Sequence, residues 1–534
     1  MANYRVALIV RRSVEGNDFL VVRQTPPTSL PEKEYENYVD SDLWDLPSAL
    51  LGQLGEGNSC TTVIDGADSA SNKVDLQKLD IDSTLDQIFS LVGLKRSVDR
   101  SLAFWKCVEE PEFGPGPLIH TLFLVGMLKP DEQIRQEDSK WMSNQCGRGL
   151  LLNVKPGNDR IGPLVVTGLL TGKVGSRKWT MPCTLLDQEY PPHVTVIPMR
   201  SRTKEPFRTT NLIVIVADDF TASSENSSFS ISGDALIMDP GCHTEFHSEL
   251  MEIVASLPRK LLVFVTHHHY DHVDGLSAIQ KINPEATLIA HENTMKRIRK
   301  DDWSLDHVRV SGGEEINIGD QRLSVIFAPG HTDGHMGLLH VSTNSLIVGD
   351  HCVGQGSALL DIRSGGNMKD YFQTTYKFME MSPHVLIPMH GRVNLWPKRM
   401  LCGYLKHRRD REYSTLKAIE SGAETLFDII AISYADVDVR LWIPASSNVR
   451  LHVDYLAHQD KLPKDFSMQK FQRSCLLNFL SRWTWKYLKT GVFIKIPKLS
   501  AVKFLTAITL AGLATYFLPG WGLLPKKLGK FCDP

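Results

Sequence analysis

The length of this chain, 534 residues, is too great for one hydrophobic core and predicts roughly three or four domains. Its composition, with 42% hydrophobic and 22% charged residues, is that of ordinary globular protein. A formal net charge of −2 excludes a global basic field of the kind that attracts nucleic acid.

Two features favour an intracellular protein in a reducing compartment. The nine cysteines are odd in number and show no CxxC spacing, which argues against a disulfide framework. The apolar segment of the N-terminal MANYRVALIVRRSVEG is too short for a secretory signal, and its arginines lie on the wrong side of it.

The first 150 residues predict a hairpin-led α/β or α+β unit. Strand-like YRVALIVRR and DFLVVRQ surround a SVEGN turn, and DLWDLPSALL follows. After a polar loop at residues 55–83 come a helix-like LDQIFSLVGL and a strand-like LIHTLFLVGML. This order resembles the start of a Nudix domain. The glutamate-rich box of that family, which holds magnesium, is absent, so we expect residues 1–150 to be a Nudix-like domain without a catalytic box, with a structural or substrate-gating role.

Residues 185–395 show short apolar runs that alternate with helical or polar stretches, which predicts α/β layers with buried strands. Five of the runs end at an ionisable side chain of the kind that binds metals. ALIM runs into Asp239, LLVFVT into the cluster from His267 to His272, SVIFA into His331, LIVG into Asp350 and VLIPM into His390. Catalytic sites of α/β proteins are commonly assembled at strand ends, so we expect these side chains to converge.

The cluster THHHYDHVDG has a spacing that suits two cations. Successive side chains alternate in extended backbone, so His267 and His269 can point the same way and bind one cation. The chain then turns toward a helix that begins near Gly275, which lets Asp271 and His272 reach a second cation. Imidazole and carboxylate ligands suit zinc, and also iron or manganese, so the predicted cofactors are two divalent metal ions, with Zn²⁺ the first choice.

The motifs THHHYDHVDG, APGHTDGH, VGDH and PMHG, together with LIMDPG, resemble those of the metallo-β-lactamase superfamily of metal-dependent hydrolases. The resemblance covers about residues 190–395 and implies an αββα sandwich. The ligands that it implies are His267, His269 and His331 at one cation, Asp271, His272 and His390 at the other, and Asp350 between the two. Asp271 and Asp350 are the predicted catalytic carboxylates. Asp239 is expected to orient the site through hydrogen bonds, with a strand-end turn residue as the alternative.

Three neighbours of these motifs are expected to have lesser roles. His268 and Tyr270 should point away from the cations by alternation and serve as packing residues. His335 either reaches the cleft or belongs to a solvated loop.

Residues 396–465 predict three helices, the third from about Ser446 to His458. The Tyr-x-x-His-Arg-x2-Arg-Glu stretch that starts at Tyr404, and the later Asn448-Val449-x2-His452, resemble the winged-helix module of one branch of the superfamily. PKDFSMQKF follows where a wing hairpin should stand, so the wing looks shortened. A helical cap that shapes the active-site cleft is the alternative to a winged-helix-like module.

Residues 466–534 predict membrane attachment. Apolar residues from Phe471 to Tyr487 recur at helical spacing with basic residues on other faces, as in a basic amphipathic helix at a membrane surface, although an ordinary packed helix has the same pattern. Phe504 to Leu524 carry no charge and are long enough to span a hydrocarbon core of roughly 30 Å. A buried C-terminal helix and an interfacial helix are the alternatives. The expected localisation is intracellular and membrane-associated through this anchor.

The resemblance implies hydrolysis by a hydroxide that bridges the two cations. The branch with the winged-helix module implies endonucleolytic cleavage of single-stranded RNA, and the basic run KHRRDR could meet phosphates, unless it is a solvated helix face. A thioester or other acyl, lipid-like substrate is the second candidate. A non-hydrolytic, membrane-tethered binding or scaffold protein is the third, and no protein partner can be identified from the sequence.

Overall fold

A computed structural model describes most of the chain, namely residues 3–12, 17–28, 30–53, 65–66, 79–94, 102–127, 134, 137–152, 154, 159–170, 179–217 and 230–489. These residues belong to two compact units. One comprises Met1–Lys417 with Ser447–Leu462, and the other comprises Ala418–Ser446 with the chain from Pro463 onward.

The N-terminal region of the first unit is built on a nine-stranded sheet of order β11-β3-β2-β1-β9-β8-β6, with β4 on β1 and β10 on β2. Its strands are β1 Asn3–Arg11, β2 Asp18–Gln24, β3 Leu43–Asp45, β4 Ser48–Leu50, β6 Asp65–Gly66, β8 Ala103–Val108, β9 Ile119–Met127, β10 Ser139–Ser143 and β11 Arg160–Ile161, and a separate pair is formed by β5 Gly52–Gln53 and β7 Leu79–Asp80. Its helices are α1 Ile81–Leu91, α2 Asn144–Leu152 and α3 Pro163–Val165.

The central strand β1 is apolar and buried from Val6 to Val10 because both faces of the sheet are covered there. Val6 and Leu8 pack with α1 on one face, whereas Ala7 and Ile9 join the core on the other face. The expected pairing of the first two strands is present. The loop expected at residues 55–83 ends before residue 83, because helix α1 begins at Ile81. Asp80 caps this helix by accepting a hydrogen bond from the Ser83 amide.

Two further sheets, with the helices between their strands, follow in the first unit. The seven-stranded sheet has the order β12 Gln188–Glu189, β13 Thr195–Arg200, β14 Thr209–Val216, β16 Ala235–Met238, β17 Leu261–Phe264, β18 Thr287–His291 and β19 His307–Val310. The six-stranded sheet has the order β15 Ser230–Gly233, β20 Glu315–Ile318, β21 Gln321–Phe327, β22 Met336–His340, β23 Ser345–Gly349 and β24 Val385–Pro388. The intervening helices are α4 His247–Ser256, α5 Tyr270–Val273, α6 Leu276–Ile282, α7 Glu292–Met295 and α8 Met368–Glu380.

The packing of these sheets gives four layers. Phe264 from the seven-stranded sheet and Val325 from the six-stranded sheet share one buried core. The outer face of the first sheet packs on α4 and α6, and the outer face of the second packs on α8. This αββα arrangement agrees with the mixed α/β fold expected for residues 185–395.

Strand direction brings the five ligand-bearing loops to one edge of each sheet. β16 and β17 are parallel, so Asp239 and the cluster after Phe264 follow adjacent strands at the same edge. β23 and β24 are parallel, and β21 runs in the same direction as β23 because both are antiparallel to β22. His331, Asp350 and His390 therefore also follow strands that end at a common edge.

The C-terminal part of the described chain is helical, with α9 Pro397–Glu420, α10 Leu426–Ser433, α11 Trp442–His458, α12 Met468–Ser474 and α13 Leu477–Lys489. Residues 396–489 are described without a gap and contain no strand, so no wing hairpin lies within them. The third predicted helix begins at Trp442 rather than near Ser446 because Pro444 is tolerated in its first turn. The winged-helix-like and Nudix-like assignments, with their domain boundaries, stay predictions.

The expected membrane attachment is corrected by the structure. The basic amphipathic segment is two helices rather than one, and its side chains Phe471 and Phe479 are 1% and 2% exposed because they pack inside the protein. None of the helices formed by the described residues is long and apolar enough to cross a bilayer. The stretch from Phe504 to Leu524, to which the anchor was assigned, lies outside those residues. The structure gives the membrane-anchored localisation no support.

Replacing Phe264 with alanine tests the layered core, because this side chain is fully buried between the two sheets. We expect the free energy of unfolding in urea to fall by about 3–5 kcal/mol. The change Ile282→Ala, at a side chain that is 38% exposed, should cost less than about 1 kcal/mol. Equal losses in the two variants would contradict the assignment of Phe264 to a shared core.

Candidate metal centre

Three histidines from two loops bring one nitrogen each to a common point. Nε2 of His267 lies 2.9 Å from Nδ1 of His269, and Nε2 of His331 lies 3.2 Å from each of these two atoms. Ligands of a tetrahedral zinc ion, at about 2.0–2.1 Å from the metal, stand about 3.3 Å apart. The triangle of nitrogens thus has the size of one face of a zinc site.

A second group of side chains lies beside the first. Nε2 of His390 is 3.4 Å from Oδ2 of Asp271 and 3.4 Å from Oδ1 of Asp350. Nε2 of His272 is 3.8 Å from Asp271 and 3.5 Å from Asp350. Oδ2 of Asp350 also lies 4.0 Å from Nε2 of His331, so this carboxylate stands between the two groups.

Each histidine of the site is fixed by a hydrogen bond at the ring nitrogen that does not face the cluster. The partners are the Thr266 hydroxyl for His267, Asp361 for His269, Asp239 for His272, the Leu359 carbonyl for His331 and the Thr209 carbonyl for His390. Such partners set the tautomer and the orientation of a metal-binding imidazole. All five rings therefore present their other nitrogen to the cluster.

Asp239 fixes the loop that carries the histidine cluster through hydrogen bonds to Thr266 and His272. Its Oδ1 accepts from the Thr266 amide at 2.7 Å, and its Oδ2 accepts from the Thr266 hydroxyl at 2.6 Å and from Nδ1 of His272 at 2.8 Å. Both oxygens are thus engaged by protein groups. Two residues later, a Cβ on Gly241 would lie 1.7 Å from the carbonyl oxygen of Asp271, so only glycine lets these two loops pack.

Two residues with a direct part in the site were not identified as such from the sequence. Asp361 lies 3.1 Å from Nε2 of His269, and its only local signal is its position as the cap of a short helical turn. His335 is fully buried and accepts from the backbone amide of Asp350 at 3.1 Å, with its own Nδ1 donating to the Ala328 carbonyl. His335 is therefore neither a cleft residue nor a solvated one, and it positions the backbone of Asp350.

The electrostatics of the two groups differ. Burial lowers the pKa of His267 and of His331 well below the ordinary value, so both rings are neutral and keep a nitrogen lone pair that can bind a metal ion. Burial would also lower the pKa of His390, but Asp350 and Asp271 raise it to about 10. Carboxylates dominate the second group, which therefore demands positive charge.

The donor set fits two divalent cations. Three sets of ligand atoms, each within 4.8 Å of one another, are found among the described residues: His267, His269 and His331; Asp271, His272 and His390; and Asp239, His267 and His272. Nε2 of His272 and Oδ1 of Asp350 are buried with no hydrogen-bond partner, and buried polar atoms of this kind require one. A cation at each of the first two sets supplies that partner.

The other residues noted in the sequence lie elsewhere. Nε2 of His268 is 2.9 Å from the Ser364 hydroxyl, whereas Tyr270 is 58% exposed and does not pack as expected. In the basic run KHRRDR, one arginine is buried and two further cations are paired with glutamates. Arg408 is 1% exposed, Arg409 pairs with Glu412, and Lys406 pairs with Glu32. The predicted use of this run to meet phosphates is not supported by these contacts.

Comparison with known proteins identifies the segment that carries the site. Residues 223–390 match the family described as "Metallo-beta-lactamase superfamily". A Caenorhabditis elegans protein named "Beta-lactamase-like protein 2 homolog" is 28% identical over 211 residues, which are 39% of this chain and 69% of that protein. A Thermosynechococcus vestitus "Hydroxyacylglutathione hydrolase" is 30% identical over 139 residues, which are 26% of this chain and 52% of that protein.

Among solved structures, a beta-lactamase domain protein from Burkholderia ambifaria aligns with a TM-score of 0.46 and 18% identity, over 55% of this chain and 94% of that one. The expected resemblance to the superfamily is confirmed by the family match.

Removing the Asp239 carboxylate tests its part in orienting the site. We expect Asp239→Ala to weaken Zn²⁺ binding by about 10- to 100-fold, because His272 and the Thr266 backbone lose their common acceptor. Competition with a chromophoric chelator measures the change. Asp234→Ala, five residues earlier on the chain, is the control and should bind Zn²⁺ as the unmodified protein does; equal affinity in both variants would contradict the proposed role.

Proposed function

We propose that this chain, whose residues 223–390 match the metallo-β-lactamase superfamily, hydrolyses its substrate at a centre of two divalent cations. One observation carries the proposal. Five imidazole nitrogens and the carboxylates of Asp271 and Asp350 meet in one cluster, in two sets with Asp350 between them. Zinc suits this mixture of ligands best, with iron and manganese as alternatives.

The residues of the chain have distinct tasks in this proposal. His267, His269 and His331 hold one cation, and Asp271, His272 and His390 hold the other. When bound, such a pair of cations supplies an activated water at neutral pH and polarises the substrate oxygen. The protein contributes rigidly oriented ligands and an opening to solvent. His267 and His272 are fully buried, whereas the side chains of His269, Asp271 and Asp350 are 27%, 18% and 12% exposed, so substrate approaches from their side.

An acyl substrate such as a thioester is the first candidate, because arginines near the site are paired with aspartates. Three arginines on loops beside the ligands are each paired with an aspartate: Arg202 with Asp274, Arg297 with Asp333, and Arg299 with Asp302. Paired arginines attract a polyanion weakly. The relative named hydroxyacylglutathione hydrolase supports the same class of substrate.

Single-stranded RNA is the second candidate. It is supported by the motifs that begin at Tyr404 and Asn448, which resemble a branch of the superfamily for which RNA cleavage is implied. Against it stand the internal pairing of the KHRRDR run and the absence of a wing in residues 396–489. The two substrates differ in charge, and this difference allows a simple test.

Removal of the metals tests the reaction class. After dialysis against a chelator the protein should lose hydrolytic activity, and about two equivalents of Zn²⁺ per chain should restore it. The change Asp350→Ala should lower kcat by at least about a thousand-fold, since it removes the carboxylate common to both ligand sets.

The matched control is Asp320→Ala, at an exposed turn between β20 and β21, which should leave kcat unchanged. Full activity in metal-free protein, confirmed by elemental analysis, would contradict the proposed centre.

A panel of thioesters, single-stranded RNA, lactams and phosphodiesters tests the substrate class. We expect kcat/KM for a thioester to change little between about 50 and 200 mM salt, because the substrate makes few ionic contacts. RNA cleavage at the same site would fall steeply over this range. Preference for RNA with a steep salt dependence, lost in Asp350→Ala, would exclude the acyl substrate in favour of RNA.

A further inference from the structure

The second ligand set consists of Asp271, His272 and His390. Hydrogen bonds connect His390 of this set to the N-terminal region of the chain. Nδ1 of His390 donates to the Thr209 carbonyl at 2.9 Å. The hydroxyl of Thr209 donates in turn to the backbone carbonyl of Glu112 at 3.1 Å, and Glu112 lies in the connection between β8 and β9 of the nine-stranded sheet. The group that orients His390 is thus itself tied to the N-terminal sheet.

A charged pair fixes the same ligand loop at a second point. Arg392, two residues after His390, makes a bidentate pair with Glu110, with Nε to Oε1 at 2.5 Å and Nη2 to Oε2 at 3.0 Å. Nη2 also donates to the Pro117 carbonyl at 2.9 Å. The Glu110 side chain is 14% exposed and accepts from the Ile119 amide as well, so the pair is held firmly.

Apolar packing also connects the loop that carries His390 to the N-terminal region. The ring of Phe207 lies 5.7 Å from the ring of His390, between centroids. On its other side a Cβ on Gly114 would approach Phe207 to 2.6 Å, and Gly114 has a φ of +136°. Glycine at this position therefore lets the connection between β8 and β9 press against Phe207.

The first ligand set is held by the segment that follows Asp350. The Leu359 carbonyl accepts from Nδ1 of His331 at 2.6 Å, and Asp361 lies 3.1 Å from Nε2 of His269. The backbone amide of Asp361 also donates to the His331 carbonyl at 3.0 Å. The positions of both histidines therefore depend on where residues 358–361 lie.

Helices α9 and α11 hold this segment in place. Ser447 donates to the Leu360 carbonyl at 2.8 Å, and Asn448 accepts from the Leu360 amide at 3.4 Å. The Tyr404 hydroxyl donates to the Val353 carbonyl at 2.7 Å and accepts from its amide at 2.9 Å. The basic run is part of the same contact, since the buried Arg408 donates to the Ala358 carbonyl.

We propose that the ligands of the two cations are positioned by different regions of the chain, one that precedes the hydrolase domain in the sequence and one that follows it. Glu110, acting through Arg392, is a positioning residue for the second ligand set, and Ser447 and Asn448 are positioning residues for the first. This inference rests on the proposed dinuclear centre. It gives the N-terminal region and the C-terminal helices a role in metal affinity, with no need for either to contact substrate.

Separate titration of the two cations tests this division. Full-length, metal-free protein is titrated with Zn²⁺ by calorimetry, and bound zinc is counted by elemental analysis. His331→Ala and His390→Ala identify the first and the second site in the titration. We expect Glu110→Gln to weaken the second site by about 10-fold or more and to leave the first site within about 2-fold. The double change Ser447→Ala with Asn448→Ala should weaken zinc binding at the first site by about 10-fold or more and leave the second site within about 2-fold.

Neighbouring residues supply matched controls, with Glu109→Gln beside Glu110 and Ser446→Ala beside Ser447. Both should bind zinc as the unmodified protein does. Because a merely destabilised protein loses both sites together, excess zinc should restore activity in the two flank variants, with a higher half-saturating concentration and an unchanged kcat. If circular dichroism shows that a flank variant is misfolded, Arg392→Gln replaces Glu110→Gln, and the single change Ser447→Ala or Asn448→Ala replaces the double change.

Two outcomes would overturn the inference in distinguishable ways. Equal weakening of both sites in each flank variant, or no weakening in either, would refute the division between flanks and leave the dinuclear centre intact. An unmodified protein that binds fewer than two equivalents of zinc would refute the proposed centre, and the inference with it.

Discussion

The burial of two carboxylates among five imidazoles is the constraint around which the first unit is arranged. Asp271 and Asp350 lie within 4 Å of His272 and His390 in a region from which most water is excluded. Unpaired charges of this kind cost several kcal/mol each, and ions bound between them offset that cost. The fold can hold such a cluster because each ligand follows a strand of the two sheets, and three of these strands, β17, β23 and β24, are fully buried.

Rigid strands bring the ligands together but do not orient them. Orientation comes from a layer of hydrogen bonds in which every cluster histidine uses its remaining nitrogen. The partners in this layer come from distant parts of the chain, among them Asp239, Thr209 and Asp361. Parts of the chain that never reach the cluster hold this layer in turn: the β8–β9 connection binds Thr209, and α11 binds Leu360, the neighbour of Asp361. The proposed centre is therefore a product of the whole first unit.

The α/β layers of residues 185–395 and the identity of the clustered residues could be predicted from the sequence. Apolar runs such as LLVFVT mark buried strands, and an ionisable residue directly after such a run is seldom needed for packing, which favours a role in a site. Asp361 could not be predicted, because it follows no strand and contacts His269 from a distance of 92 positions along the chain. The basic run at residues 406–411 was interpreted from charge alone, whereas burial and pairing decide what an arginine does.

The sequence by itself determined which side chains can bind metal and in what order along the chain they occur, because ligand chemistry and strand periodicity are local properties. Tertiary structure alone decided which ring nitrogen faces the cluster, that His335 lies behind Asp350, and that Arg408 is buried. These depend on contacts between residues far apart in sequence, and no local pattern encodes such contacts. For the same reason, the amphipathic pattern around Phe471 is compatible with both a membrane surface and a protein core. The burial of that side chain decides in favour of the core.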